Sequence, residues 1–272
     1  MEHPGGAATA PGSLPLDHPY YPPGLSIPDF EPNTSPLWLL FVYFASALAM
    51  FLVAAFLVAR LVTPRFRQAP FSDKALFVWF TLCGGLHWFF EGYFVKHHAT
   101  LAGSQTVRAQ LWKEYALSDS RYLTSDPFML CVEGLTVLVQ GSLCFLTAAT
   151  IVYGAGLPAG SSGLRHVLQM VVSTVHLFGV LLYYGTLLFE ESIHGASHCR
   201  PEFQYRWVYF AGMNAPWVAV PLCLLKIATD PFSPGALYSS SKSICRVFAT
   251  VNRTSIDVPS ACGAQTSGKK EQ

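Results

Sequence analysis

Two glutamates stand inside apolar stretches of the sequence, where a charged side chain is costly. Glu91 lies in the string HWFFEGYF and Glu133 in CVEGLT. An ionisable group inside a membrane-spanning stretch is by default a candidate functional group. His87 precedes Glu91 by four residues, which places the two side chains on one face of a helix. An imidazole–carboxyl pair with a second carboxyl group, all in apolar surroundings, is suited to moving protons on an apolar substrate.

The composition and the apolar runs indicate a membrane protein. Of the 272 residues, 51% are hydrophobic and 12% are charged, and a soluble domain usually carries about twice that charged fraction. Five apolar runs meet the length of about 20 residues that a transmembrane helix needs, and they cover residues 36–62, 74–96, 127–153, 163–190 and 205–229. We therefore predict an all-α membrane protein whose five transmembrane helices form a bundle around an intramembrane pocket.

Charge, cysteines and histidines argue against several other classes of protein. The net charge of +1 gives no electrostatic footprint for nucleic-acid binding. The seven cysteines are scattered, without a CxxC pair or a disulfide framework. His97 and His98 are adjacent, but no second group of ligands with matching spacing accompanies them, so we predict a solvated or interfacial pair and no metal site.

The spans divide the chain into an N-terminal Pro/Gly-rich segment (residues 1–35), a helical domain (36–229) and a tail (230–272). Lysines and arginines concentrate at the ends of spans that share a side with the tail. The positive-inside rule therefore predicts a cytosolic C-terminus and a non-cytosolic N-terminal segment. Lys269 and Lys270 resemble a dilysine retrieval signal, which predicts the endoplasmic reticulum membrane, although two terminal lysines also arise by chance.

Polar side chains recur at helical spacing within the later spans, as expected where helices share a cavity. They are Glu133, Thr136 and Gln140 in the third span and Gln169, Ser173, His176 and Tyr183 in the fourth. In the fifth span, Asn214 shares a face with the aromatic residues Phe210 and Trp217. For the uncharged polar groups and for His176, hydrogen bonding between helices is the alternative explanation. For Trp217, plain packing stays open beside a pocket role.

The connection between the second and third spans has a composition of its own. Residues 111–126 mix aromatic and charged side chains and are too short and too polar for another span. We predict an interfacial helix followed by a turn, which caps the pocket from the non-cytosolic side. The alternative is an ordinary structured loop.

Several strings resemble the emopamil-binding proteins, the 3β-hydroxysteroid Δ8–Δ7 isomerases of sterol synthesis. They are HPYYPPGLSIPDFEPN, HWFFEGYF, LWKEYALSDSRY, CVEGLT and MNAPWVAVP, which follow the family's order from about residue 18 to residue 227. The resemblance implies an enzyme of the endoplasmic reticulum membrane that shifts the B-ring double bond of a sterol, without metal or redox cofactor. It also implies that cationic amphiphilic amines inhibit the enzyme. It does not decide the oligomeric state, for which a homodimer is one possibility.

The resemblance further implies which residues act. The family's functional positions correspond to His87, Glu91, Glu133, Thr136, Asn214 and Trp217. We predict as catalytic residues His87, Glu91 and Glu133, and as substrate-binding residues Thr136, Asn214, Trp217, Tyr183 and Phe210. Thr136 and Asn214 are expected to orient the carboxyl groups by hydrogen bonds.

Moving an isolated double bond requires protonation of one alkene carbon and loss of a proton from the far neighbour of the resulting tertiary carbocation. A carboxyl group buried in hydrocarbon keeps its proton and can serve as the acid, while an ionised second carboxylate accepts the departing proton. An indole face stabilises a cation, which suits Trp217. Which glutamate donates stays open. The preferred arrangement has Glu133 with His87 on the donor side and Glu91 as the acceptor.

Two positions depart from the family's pattern. Val180 follows Gly179 where members usually carry Asp, and Pro216 replaces a bulkier apolar residue. These departures leave the substrate open. The alternatives are a relative that isomerises another steroid or a triterpenoid, and a non-catalytic paralogue that binds sterols or drugs. A proton-coupled transporter would also carry membrane carboxylates, but the five spans show no internal repeat.

Overall fold

The computed structural model describes residues 18–156 and 163–229. All regular structure in these ranges is helical, which confirms the all-α prediction for them. The α-helices are α1 (Leu37–Val62), α2 (Phe71–Gly85), α3 (Gly92–His97), α4 (Val107–Tyr115), α5 (Pro127–Leu135), α6 (Ser142–Gly154), α7 (Gly163–Phe189) and α8 (Pro216–Thr229). The predictions for the sequon at Asn252 and for the two terminal lysines fall outside the described residues.

Four helical runs are long and apolar enough to cross a membrane, namely Leu37–Val62, Pro127–Gly154, Gly163–His194 and Gln204–Ile227. They coincide with the first, third, fourth and fifth predicted spans. The second predicted span lies in a continuous helical run over residues 71–97, which is not among the four. Charged residues near both ends of this run and Glu91 within it lower its mean hydropathy. The prediction of five spans is therefore supported for four helices.

The helical runs are interrupted by π-helical turns, which the periodicity of the sequence did not predict. Leu86–Glu91 joins α2 to α3, Thr136–Gly141 joins α5 to α6, and Gln204–Gly212 precedes α8. In the first turn the Gly92 N–H donates to the carbonyl of His87, five residues earlier. Single π turns within α-helices are frequent at functional sites, and the first of these contains both His87 and Glu91.

A glycine permits two of these π turns to pack together. A Cβ atom at Gly141 would lie 2.5 Å from Cδ1 of Trp88 and 3.1 Å from Cβ of His87. The first separation is shorter than van der Waals contact allows, so a larger residue would push the helices apart. Gly141 thus lets the turn with His87 approach the run that carries Glu133.

The connection before α5 forms a helix and a turn, as predicted, but it is buried in the protein. It comprises α4, whose N-terminus is capped by the Thr106 hydroxyl, and a 3₁₀ turn at Ser120–Leu123. Trp112 is 2% exposed and stacks on Phe90, with ring centroids 4.6 Å apart. Its indole N–H also donates to the Phe90 carbonyl, at 3.1 Å. The aromatic face of this helix therefore packs on the other helices, and its position at the membrane interface stays a prediction.

Candidate active site

A cavity of about 660 Å³ is bordered by every long helical run and by the connection that contains α4. Its lining is mainly aliphatic and aromatic, with a small number of polar groups, which is the usual character of small-molecule sites. The helices contribute, among others, Phe44 from α1, His87 and Glu91, Glu133 and Thr136, His176 and Tyr183, and Asn214 and Trp217. The connection contributes Trp112, Glu114, Tyr115 and Tyr122.

Seven of the eight predicted site residues border this cavity, and Phe210 is the exception. The Phe210 ring packs against Tyr183 and Tyr184, with centroids 5.3 Å and 4.8 Å away. Its ring is buried among these aromatic side chains, and its contact with substrate stays a prediction. Tyr183, by contrast, reaches the cavity and lies 3.4 Å from the Tyr115 hydroxyl.

His87 and Glu91 form a pair in which the imidazole is buried and the carboxylate is partly buried. The Nδ1 atom of His87 lies 2.8 Å from each carboxylate oxygen of Glu91. On its other side, Nε2 of His87 lies 3.1 Å from Nε2 of His176, a residue of α7. Both imidazoles are at most 5% exposed. The sequence predicted the first contact from the four-residue spacing, whereas it left His176 open between a functional and a packing role.

Glu133 has a different kind of partner. The Tyr122 hydroxyl donates to Oε1 of Glu133 at 2.7 Å, and both side chains are buried. The preferred arrangement assigns His87 to the donor side with Glu133, whereas the hydrogen bonds of the imidazole go to Glu91 and His176. One carboxyl group thus faces an imidazole and the other a neutral phenol.

The hydrogen bonds of Thr136 and Asn214 differ from the prediction that they orient the carboxyl groups. The Thr136 hydroxyl donates to the carbonyl of Val132, at 2.8 Å, within its own helix. Asn214 donates to the Tyr115 hydroxyl at 3.0 Å and to the Phe210 carbonyl at 2.8 Å. Short polar side chains in helices commonly bond to a carbonyl one turn earlier. Both residues border the cavity, but neither donates a hydrogen bond to Glu91 or Glu133.

Trp217 lies at the cavity wall next to a second indole. Its ring centroid is 5.9 Å from that of Trp79, and Trp79 in turn lies 6.5 Å from the ring of His176. The buried Nε1 atoms of both tryptophans have no hydrogen-bond partner among the described residues. Trp217 therefore borders the cavity with a second aromatic ring behind it, and its contact with substrate stays a prediction.

Comparison with known proteins assigns the family. A model of the EXPERA domain (EXPanded EBP superfamily) matches residues 107–226. The 3-beta-hydroxysteroid-Delta(8),Delta(7)-isomerase of Rattus norvegicus is 34% identical over 76% of this chain and 85% of its own length. The isomerase of that name from Cavia porcellus is 34% identical over 79% of this chain and 87% of its own. The chain belongs to the emopamil-binding protein (EBP) family. A further relative, an isomeliandiol synthase of Melia azedarach, is 32% identical over 55% of this chain and 65% of its own length.

Within this EBP-family chain, the connection supplies site residues that reasoning from the sequence missed. Tyr122 holds Glu133, and Glu114 borders the cavity and accepts a hydrogen bond from Tyr209 at 2.9 Å. Burial raises the pKa of Glu114 above its ordinary value. Glu114 and Tyr122 both lie in the string LWKEYALSDSRY, so the unusual mix of aromatic and charged residues there was the available signal.

Three buried side chains bring potential metal ligands together. One nitrogen of His87, one of His176 and the sulfur of Cys144 all lie within 4.8 Å of one another. They come from three separate helical runs, so no spacing motif in the sequence could reveal them. His97 and His98 contribute no ligand to this group. His98 bonds instead to the Ser125 hydroxyl at 2.9 Å.

Proposed function

We propose that this chain is a 3β-hydroxysteroid Δ8–Δ7 isomerase of sterol biosynthesis. The observation that carries the proposal is a pair of carboxyl groups at the wall of one apolar cavity, Glu133 buried and Glu91 partly buried, each with its own hydrogen-bond partner. Relatives that this chain matches over more than four-fifths of their length are named as isomerases of this kind. A sterol is the substrate that such an apolar cavity would hold.

The reaction divides between the two glutamates. Protonation of a Δ8 alkene at C9 places a tertiary cation at C8, and loss of a proton from C7 leaves the Δ7 alkene. We assign Glu133 as the acid, since its phenol partner is neutral, and Glu91 as the base, since the adjacent imidazole can carry a positive charge. Proton exchange through His87 then returns both carboxyl groups to their starting states.

The cation between these two steps is held by charge and by an aromatic face. An ionised Glu91 offsets the positive charge, and the indole of Trp217 offers a π surface to a centre that has no hydrogen to donate. The dry lining of the cavity strengthens both interactions and keeps water from capturing the cation. Glu114 and Tyr209 offer hydrogen-bonding groups for the sterol hydroxyl at the same cavity.

For the topology, we propose that the run over residues 71–97 also crosses the membrane, giving five spans. It carries His87 and Glu91 to the cavity shared with the four more apolar runs. The exposed apolar side chains of α1 would then face lipid. The N-terminal segment would be non-cytosolic and the tail cytosolic, in the endoplasmic reticulum membrane. With Asn252 as the sole acceptor, we expect no glycosylation, and a glycosidase-sensitive mass would contradict this orientation.

A triterpenoid is the alternative substrate. Gly179 and Val180, at one of the departures from the family's pattern, both border the cavity. Isomeliandiol synthase is among the relatives. A non-catalytic binding protein is the weaker alternative, because His87, Glu91 and Glu133 are all retained at the cavity.

The deciding experiment is expression of the full chain in a yeast strain that lacks its Δ8–Δ7 isomerase, followed by mass spectrometry of the sterols. We expect Δ8 sterols to be converted to Δ7 sterols, and a Glu133→Gln chain expressed at the same level to leave the Δ8 sterols in place. Accumulated Δ8 sterols beside well-expressed wild-type protein would contradict the proposal. In that case a panel of triterpenoids and a sterol-binding assay separate the two alternatives.

A further inference from the structure

The group formed by His87, Cys144 and His176 has a geometry close to that of a zinc site. The two Nε2 atoms are 3.1 Å apart, and all three ligand atoms lie within 4.8 Å of one another. Ligand atoms on a tetrahedral zinc ion lie roughly 3.3–3.6 Å apart, given the usual zinc–nitrogen and zinc–sulfur distances. Small side-chain shifts would therefore bring all three atoms onto one ion. His₂Cys with an open fourth position is a familiar arrangement for zinc.

The surroundings of the group also suit a metal ion. Metal-binding histidines usually give their other ring N–H to a carboxylate, which fixes the tautomer and the ring orientation. Glu91 holds Nδ1 of His87 in this way, so that Nε2, which faces Nε2 of His176, is the nitrogen that can bind an ion. In His176 it is Nδ1 that has no hydrogen-bond partner among the described residues. That atom can hold the ring proton while Nε2 of His176 binds the ion.

We propose that His87, Cys144 and His176 bind a zinc ion whose fourth coordination position opens to the cavity. Both histidines border the cavity, so an ion can reach them from that side. Binding releases the thiol proton of Cys144 to water and forms one zinc–sulfur and two zinc–nitrogen bonds. The thiolate and the Glu91 carboxylate together balance the two positive charges, which an apolar site requires.

Zinc at this position would block the isomerase. The ion occupies Nε2 of His87 and adds positive charge beside the cavity where a carbocation must form. We therefore expect zinc to be an inhibitor or a regulator, and not a cofactor of the reaction. This consequence rests on the proposed isomerase function, whereas the binding of the ion does not.

Cobalt(II) provides a test that does not need activity. The full chain, purified in detergent and treated with a chelator, is titrated with Co²⁺ and followed by absorption spectroscopy. We expect one equivalent to give the visible bands of tetrahedral cobalt and a thiolate-to-cobalt charge-transfer band in the near ultraviolet. Cys144→Ser should lose the charge-transfer band. Cys223→Ser, which changes an exposed free cysteine of α8, should keep it.

The outcomes separate the metal site from the enzyme. Absence of tetrahedral bands, or equal charge-transfer bands in Cys144→Ser and wild-type chains of equal thermal stability, would overturn the site. Tetrahedral bands in a chain without isomerase activity would support the site and count against the proposed function. In an active chain, Cys144→Ser should raise the Zn²⁺ concentration for half-inhibition by at least about tenfold, relative to its own zinc-free rate. An unchanged value would overturn the inhibitory role.

Discussion

Two regions of the protein differ in how their buried polar groups are hydrogen-bonded. One is the connection, taken from the start of α4 to residue 126, and the other is the set of polar groups that line the cavity with His176. In the connection, the Arg121 guanidinium donates to both carboxylate oxygens of Asp119, at distances of 2.7–3.2 Å, and to the Thr186 hydroxyl at 2.9 Å. Lys113 donates to the Glu31 carbonyl at 2.7 Å. Among the residues that line the cavity with His176, buried polar atoms of Gln140, Trp217 and His176 itself lack a hydrogen-bond partner among the described residues.

This difference separates residues that hold the structure from residues that face its ligands. Burying a polar group without a hydrogen bond costs roughly 1–3 kcal/mol, so a chain that carries several such groups beside a cavity is sacrificing stability there. Native proteins concentrate such departures at functional sites. The connection, in which the buried Lys113 and Arg121 are both hydrogen-bonded, supplies the fixed frame from which Tyr122 reaches Glu133.

The largest expected effect is on stability, at the paired region. Asp119→Ala leaves the buried Arg121 guanidinium without its partner, and we expect a loss of about 3–5 kcal/mol in the free energy of unfolding. Denaturant unfolding in detergent, followed by tryptophan fluorescence, measures it. Glu190→Ala, at the exposed pair with His194, is the matched control and should change little. Equal losses for both variants would erase the distinction between the two regions.

The next effect is on turnover, at the cavity. Glu91→Gln and Glu133→Gln should each lower turnover by about two orders of magnitude or more, the range expected for general acid–base groups. Both variants should still fold, because a neutral amide is easier to bury than a charge. Sterol conversion by purified protein is the measurement, and Glu202→Gln, at a more exposed site, is the control. Near-native rates in both cavity variants would mean that the two glutamates are structural.

A smaller effect concerns recognition of the cationic intermediate. A hydrophobic amine, protonated at neutral pH, should bind as an analogue of the carbocation, and Trp217→Ala should weaken it by roughly 0.5–2 kcal/mol. Glu91→Gln or Glu133→Gln should weaken it further, while a neutral carbon isostere of the amine should hardly respond to these two changes. Trp207→Ala, an exposed tryptophan, is the control. Parallel losses for amine and isostere would show that shape alone holds the ligand.

The smallest expected effect is the pH dependence contributed by His198. Burial lowers the pKa of His198, whose Nδ1 lies 3.0 Å from the Ser120 hydroxyl of the connection. A folded-state pKa below the unfolded value of about 6.5 gives stability that is present above that pH and is lost as the pH falls. Unfolding measured from about pH 7.5 down to about pH 5 should therefore show a steeper decline in wild type than in His198→Gln. If the free energy of unfolding fell equally steeply with pH in both chains, protonation of His198 would not contribute to the pH dependence of stability.

Much of the helical arrangement could be predicted from the sequence, because a membrane imposes a length on each apolar run. Four of the predicted spans have counterparts of suitable length and apolarity. For the connection, an amphipathic pattern does not tell whether the apolar face meets lipid or other helices, and the structure shows that Trp112 meets other helices. The π turn at Leu86–Glu91 was missed, since one extra residue in a turn leaves the hydrophobic period almost unchanged.

For the site, the sequence determined the contact between His87 and Glu91, because a four-residue spacing brings two side chains together on a single helix. It also placed Glu133 and Trp217 in apolar runs that were predicted to surround one pocket. Only the tertiary structure decided the remaining partners. Tyr122 meets Glu133, and His87 meets both His176 and Cys144, across separate helical runs. Such contacts depend on the rotation and depth of each helix, which side-chain packing sets and no local spacing records.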